Sequence, residues 1–508
     1  VPVNVWSDNI GQEAVDFILY PEGVGKSVTK NKQNVFMATL SGNTADWFTI
    51  PGDPGPIGLV VGAEYLEIEA NINTPEFIEQ GIFEGFGTAP FSLDADIDIA
   101  SIFMEALIPL ISGKPGIDYL ELELAFRSAD HSVSGRDSSS KLALSYYPNP
   151  EIQIRLSYNN AVRSPSINEL YQIEQTTSLI IEDPCTQDQS FKAVGDNRTR
   201  IERSDQLDAS CLYTGVPQED LYNPLLKEVS PIANFGGNPN LVAEDGDTYS
   251  LGIVWTPYSI DGLSLSLDFF NVQIDNYIET APFLVPDMVK ACYDPSLASG
   301  GPNSAACDAI GRDSDGRLTS IFLGFQNLGL HEVSGWDINL EYGFELFSGY
   351  LDLNYFATKM KKRTIQDNTF GETNFKCLGQ FNGDCDNLID YPVFEFKHRF
   401  TAGWSRDKLD LQLVWKYNSS LSDGDEAVEY FREKIDSYSI VDFSGRYSIK
   451  ENWTLTAGIK NLLNKKPQPL GSNSWELNTA NAGPMSNTYT EYYDVFGRTM
   501  FLKASFML

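Results

Sequence analysis

KHRFTAGWSRDKLDLQLVWKYN, Lys397 to Asn418, holds two extended-looking segments joined by three polar residues, Arg406-Asp407-Lys408. In the second segment Leu409, Leu411, Leu413, Trp415 and Tyr417 alternate with Asp410, Gln412 and Lys416. A period of two sends successive side chains to opposite faces of a strand. The stretch therefore predicts a hairpin with one apolar face and one charged face.

The same pattern recurs along the chain. Leu120, Leu122, Leu124 and Phe126 oppose Glu121, Glu123 and Arg127. Ile152, Ile154, Leu156 and Tyr158 oppose Gln153, Arg155, Ser157 and Asn159, and Leu351, Leu353 and Tyr355 oppose Asp352 and Asn354. Fifteen strands are expected, near 35–48, 57–71, 97–110, 118–130, 138–148, 150–163, 245–256, 262–279, 319–345, 349–362, 395–406, 409–419, 437–448, 452–462 and 490–508. The connections alternate in kind. Pro148-Asn149-Pro150, Pro257 to Asp261, Leu346 to Ser348, Arg406 to Lys408 and Lys450 to Asn452 are short, whereas 72–96, 164–244, 280–318, 363–394, 420–436 and 463–489 are mostly long. Short turns at one end and long loops at the other describe a transmembrane antiparallel β-barrel with periplasmic turns and extracellular loops. Charges such as Glu121, Arg155, Asp268, Asp352, Lys416 and Lys460 share one face, which a soluble sandwich rarely repeats.

Beside the short turns stand Tyr146, Trp255, Tyr342, Phe344, Trp404, Tyr447 and Trp453. All but Trp453 are assigned to the apolar face, as an interfacial girdle on the periplasmic side. The closing stretch TMFLKASFML, 499–508, would set Met500, Leu502, Ala504, Phe506 and Leu508 toward lipid and Thr499, Lys503 and Ser505 toward the lumen.

Composition narrows the function classes. Lys plus Arg is 36 against 70 Asp plus Glu, a formal net charge of -34, which argues against nucleic acid. No apolar run is long enough for a membrane helix, and the first residues lack the basic start and apolar core of a signal peptide. The six cysteines form three close pairs in the long connections: Cys185 with Cys211, Cys292 with Cys307, and Cys377 with Cys385. Three local disulfides made in an oxidising compartment are expected. No catalytic constellation stands out, so the chain is not read as an enzyme. His131, His331 and His398 are read as structural.

Several segments resemble TonB-dependent outer-membrane receptors. YNNAVRSPSINELY (158–171), GNPNLVAEDGDTYSLGIVWTP (237–257), NLGLHEVSGWDINLEY (327–342), AGIKNLLNKKPQP (457–469) and YYDVFGRTMFLKASFML (492–508) follow the family's order. VPVNVWSDNIGQEAVDFI, at the start, is similar to a loop segment found midway through one large subgroup. The chain departs from the family's common ending, with Leu508 where a Phe is usual. The resemblance implies a barrel of about 22 strands filled by an N-terminal plug. An odd strand count and an outside start then imply that this chain is the C-terminal part of a larger barrel: 1–34 an extracellular loop segment, 35–508 barrel, with the plug and about seven strands elsewhere. It also implies energy-coupled uptake of a scarce nutrient in the outer membrane of a Gram-negative bacterium. The subgroup likeness and the scarcity of His point to an oligosaccharide or other carbon nutrient. Siderophore-iron or cobalamin is the alternative, and a passive porin or surface-display barrel a second one. The implied partners are outer-membrane lipid and lipopolysaccharide, the TonB complex, the missing N-terminal part and a surface lipoprotein, with no nucleic acid.

Substrate contacts are expected in the outer loops. Trp475 offers an aromatic plate among the amides Asn473, Asn478 and Asn481, suited to stacking and hydrogen bonding with a polar ligand. Arg163 projects inward at a strand's outer end, to hold ligand, plug or loop. No resident cofactor is expected. Asp313 and Asp315 in GRDSDGR, and Asp423 and Asp425 in SDGDE, are the calcium candidates, although neither stretch completes a twelve-residue calcium loop.

Overall fold

The computed structural model describes residues 28–75 (except 53), 92–172, 228–280 (except 230–231), 301–367 (except 303 and 328), 373–381, 392–424, 432–469 (except 451) and 492–506, with shorter pieces within 175–221, 289–293 and 488–489. Fifteen strands follow one another in a continuous antiparallel sheet, in chain order. They are β1 (Val28–Asn43), β2 (Gly58–Asn73), β3 (Leu93–Lys114), β4 (Ile117–His131), β5 (Gly135–Asn149), β6 (Ile152–Arg163), β7 (Glu244–Trp255), β8 (Leu263–Asp275), β9 (Leu330–Leu346), β10 (Gly349–Asp367), β11 (Phe396–Arg406), β12 (Leu409–Asn418), β13 (Tyr438–Lys450), β14 (Trp453–Lys460) and β15 (Thr499–Phe506).

Register turns the alternation of single strands into two continuous faces. Trp255 pairs with Ile152 and Leu265, Leu265 with Leu340, Leu340 with Tyr355, Tyr355 with Phe400, and Phe400 with Trp415. That row is apolar and continues around the sheet; Leu40, Val61 and Met104 carry it to β1, and Ile102, Met104 and Met500 are more than half exposed. Apolar side chains left exposed over a whole face are what lipid contact requires. No helix is long and apolar enough to cross a membrane.

The opposite face is charged, and its charges meet across strands. Arg155 and Asp268 sit on β6 and β8 with Gly252 of β7 between them, and the guanidinium reaches the carboxylate at 2.8 Å. A side chain at Gly252 would put its Cβ 2.0 Å from Asp268 Oδ1, so only glycine lets the pair close over β7. Arg127 reaches Glu64 at 2.5 Å, Lys141 reaches Glu123 at 2.5 Å, and Lys416 reaches Asp442 at 3.2 Å. Tyr119 donates to Glu121. Several inward charges thus find partners within the barrel wall.

Tight turns close one end of the sheet. Phe347 and Ser348, and Asp407, adopt positive φ, the geometry by which a two-residue turn matches strand twist. Tyr146 donates to the Gly116 carbonyl and Trp404 Nε1 to the Leu346 carbonyl, so girdle side chains tie down turn backbone. Trp453 belongs to this girdle, against expectation. It pairs with Phe506, ring centroids 5.0 Å apart, and Leu455 pairs with Ala504 on the same face. A second aromatic row lies nearer the loop end, where Tyr158 packs on Tyr249 at 4.9 Å and Phe269 on Trp336 at 5.1 Å.

Boundaries differ in four places. The first strand begins at Val28, so part of the segment assigned to an outer loop is strand, and the remainder lies outside the described residues. The predicted strand 319–345 is two: Leu318–Asn327 joins a loop sheet, and β9 starts at Leu330. Asn327 separates them, its side-chain amide donating to the Val242 and Asn276 carbonyls. The last strand starts at Thr499 rather than 490. The β3–β4 link is a tight Pro115-Gly116 turn, a further short connection at the same end.

Candidate functional site

The long connections form caps over one end of the sheet. In the first cap, segments before β7 and before β9 are welded together. The disulfides Cys185–Cys211 and Cys292–Cys307 both form, as the spacing predicted. Cys377 is disulfide-bonded as well, and Cys385 lies outside the described residues. Between the two disulfides sits Arg312, with its side chain 1% exposed. It pairs with the wholly buried Asp183, donates to Tyr293 Oη at 2.9 Å and to the Gly316 carbonyl at 2.7 Å, and lies 3.4 Å from Cys185 Sγ. Ser210, in the helix Asp205–Tyr213, donates to the Cys292 carbonyl at 2.8 Å. Burial raises the Tyr293 hydroxyl above its ordinary range and keeps it neutral. A buried charge is tolerated only when paired and fully hydrogen-bonded, and Arg312 meets both conditions through residues from separate connections.

In GRDSDGR the Asp313 carboxylate is used locally. Asp313 Oδ1 accepts from the Asp315 and Arg317 amides, closing the turn between strands Ile310–Arg312 and Leu318–Asn327. This is turn chemistry. Among the described residues no group of three His, Cys, Asp or Glu side chains could hold a metal ion. Asp425 lies outside the described residues, and so do Trp475, Asn473, Asn478 and Asn481.

A second cap gathers Phe381, Phe394, Leu421, Ile435, Tyr489 and Tyr493 from three connections, with Tyr438 at the start of β13, into one buried cluster. Lys397 lies over the Phe394 and Tyr492 rings, 4.8 and 4.9 Å from their centroids.

Below the first cap runs the polar rim of the lumen. Arg163, the predicted contact residue on β6, bridges two carboxylates: Glu244 of β7 at 2.5 Å and Glu169 at 2.9 Å. Glu169 belongs to helix α1 (Ile167–Tyr171), where Ser166 and Glu169 form a capping box. Burial pushes the Glu169 carboxyl up, but the Arg163 guanidinium and the Ser166 bonds prevail and hold it below the usual range. Glu244 also accepts from the Ile278 amide at 2.7 Å. Arg163 thereby pins α1, whose Ile167 and Leu170 join Ile97, Leu241 and Ile278 in an apolar plate against the wall. The structure places Arg163 in a clamp, with its donors committed to protein.

The three histidines differ. His131 Nδ1 accepts from the Val133 and Ser134 amides at 3.1 Å each and so closes the β4–β5 turn. His398 lies on the apolar face, stacked on Tyr417 at 5.2 Å and edge-on to Trp415 at 4.4 Å. Those two are structural, as read from the sequence. His331 is 8% exposed, and neither ring nitrogen has a hydrogen-bond partner among the described residues. Tyr277 meets it edge-on at 5.0 Å and donates to Glu279. Burial, then the Glu279 carboxylate, pushes the Tyr277 hydroxyl up to about 12, so it remains a neutral donor. Sequence reading missed Arg312 and the His331 corner. The Gly335-Trp336-Asp337 motif was the one signal near the latter.

A family model described as TonB dependent receptor-like, β-barrel, matches residues 6–462. Among solved structures, the chain is similar to the ferric enterobactin receptor of Pseudomonas aeruginosa, at 17% identity and TM-score 0.55, over 94% of this chain and 54% of that one. It is similar to the siderophore receptor PirA of Acinetobacter baumannii, at 16% identity and TM-score 0.55, over 94% and 55%. It is also similar to a double mutant of the Serratia marcescens hemophore receptor HasR in complex with its hemophore HasA and heme, at 13% identity and TM-score 0.50, over 94% and 59%. At these identities the likeness is one of fold. The chain spans a little over half the length of the first two structures. No curated protein sequence matches it.

Proposed function

The chain belongs to the TonB-dependent receptor β-barrel family of Gram-negative outer membranes, and from that premise we propose that its protein is an active transporter. The ligand binds among the outer caps and the lumen rim. A plug supplied by the rest of the protein then rearranges under force from the TonB complex, and the ligand passes. The observation that carries the reading is the division of the sheet. An unbroken apolar face suits lipid, including lipopolysaccharide, while a charged lumen face ends beneath disulfide-stapled caps.

The ligand we favour is an oligosaccharide or another polar carbon nutrient, held by stacking and amide hydrogen bonds with Trp475, Asn473 and Asn478 as contributors, and with a surface lipoprotein as a further partner. A ferric siderophore is the second reading, and the likeness to siderophore receptors favours it.

The test is uptake by cells producing the full-length protein, with and without a working TonB complex. Accumulation of labelled oligosaccharide that collapses without coupling supports the first reading. Accumulation of ferric siderophore under the same dependence supports the second. Uptake that persists unchanged without coupling sinks both and leaves a passive pore.

A further inference from the structure

Arg363 lies toward the outer end of β10, and its Nε is shut off from solvent without a hydrogen-bond partner among the described residues. It makes no ion pair among the described residues, in a chain with 70 acidic side chains. Its counterparts on the same face behave otherwise: Arg127, Arg155 and Arg163 each reach a carboxylate within 2.9 Å. Val333 of β9 pairs with Arg363, and His331 pairs with Ile365, so Arg363 and His331 are diagonal neighbours on one face.

A bulge creates this arrangement. Leu351, Leu353 and Tyr355 face outward, and uninterrupted alternation would send Arg363 the same way. Gly335 pairs with Met360 but Ser334 with Lys362, so Lys361 is passed over and the parity of β10 reverses beyond it. Arg363 turns to the lumen, while Lys362 turns outward to pair with Glu332. Glycine is needed at the irregularity, since a Cβ at Gly335 would stand 2.8 Å from the Lys359 carbonyl oxygen. Bulges of this kind re-aim side chains beside functional sites.

A neutral imidazole always carries one N–H, and both nitrogens of His331 lack an acceptor. Among the described residues, the Arg363 Nε–H and an imidazole N–H thus share one face with no acceptor for either, and leaving such donors unmet is costly. Arginine's planar donors match a carboxylate's two oxygens. We propose that Arg363 and His331 form a subsite on the lumen wall that binds a carboxylate of the transported ligand, with Tyr277 as its aromatic side. The subsite rests on the receptor reading. A uronic-acid oligosaccharide and a hydroxycarboxylate chelator carry the same group, and they are told apart by the probes.

The test is calorimetric titration of the full-length protein in detergent with digalacturonate and with citrate. Saturable binding of one acid is expected, and which one names the source. Arg363→Gln should weaken it on the order of tenfold or more, Arg363→Lys less, and Arg406→Gln at a periplasmic turn not at all. Absence of saturable binding of both acids, or affinity indifferent to Arg363→Gln, overturns the proposal. So does a lower Tm of Arg363→Gln without added acid combined with no binding by the parent protein, which would mean that a carboxylate of the protein itself fills the subsite. Arg363-dependent binding alongside uncoupled uptake would overturn the receptor reading alone; coupled uptake alongside Arg363-independent binding would overturn the subsite alone.

Discussion

Two arginines near the loop end of the molecule sit in opposite circumstances. Arg312, in the first cap, is almost wholly buried and meets a carboxylate, a phenol and a carbonyl, with a cystine sulfur close by. Arg363, on the rim below, has its Nε enclosed without a hydrogen-bond partner among the described residues. Desolvation is costly for both, and among the described residues only one recovers that cost. The contrast sets a cap arginine whose donors are met beside a rim arginine whose Nε is not, among the described residues, and the proposed subsite rests on that difference.

The largest expected effect breaks the cap. Asp183→Ala leaves Arg312 buried and uncompensated, and should cost about 3–5 kcal/mol of cap stability. Hydrogen exchange of the segments around Cys185 and Cys292 reads this directly; unchanged protection there would mean that Arg312 is not the keystone. Arg363→Met, under the same measurement, should leave protection unaltered, because no protein partner is lost. Next in size, the double change Cys185→Ser with Cys211→Ser should cost roughly 2–4 kcal/mol through the freed loop. Proteolysis should then cut between these positions first, and a cleavage pattern identical to the parent's would contradict the stapling role.

Smaller still is the Arg163 clamp. Glu169 has its carboxyl held below the usual carboxylate range, so its contribution to stability is complete above that range and is lost as pH falls through the folded value. Docking of α1 should loosen on acidification, and Glu169→Gln should remove that acid dependence at a cost of about 1 kcal/mol. A loosening curve that Glu169→Gln leaves in place would assign the acid response to another group.

Much of this fold was legible because a barrel strand writes its two faces into the sequence residue by residue. All fifteen strands were placed, and the sorting of short and long connections gave the two ends. Exceptions arose where local pattern does not determine partners. Leu318–Asn327 alternates like its neighbours yet joins a loop sheet, since periodicity does not say which sheet a strand enters. Trp453 was set on the wrong face, and the register with β15 corrects it.

The candidate site was less legible for a related reason. Arg312 draws on Asp183, 129 residues away in another connection, and on Tyr293, 19 residues away in its own. Arg363 faces inward only because a bulge reverses parity two residues earlier, and an alternation read straight through β10 points it at lipid. Arg163 was placed on the correct face, but its partner Glu244 on β7 follows from pairing across a long connection, while Glu169 lies only six residues on.

The central claim is that the caps face outward over a membrane-spanning barrel whose tight turns face the periplasm. Single cysteines at Asp315 in the first cap and Asp407 in the β11–β12 turn test it, treated in intact cells with a membrane-impermeant maleimide. Asp315→Cys should label at once, and Asp407→Cys only after the outer membrane is permeabilised. Labelling of both in intact cells, or of Asp407→Cys alone, would contradict the orientation and the receptor built on it.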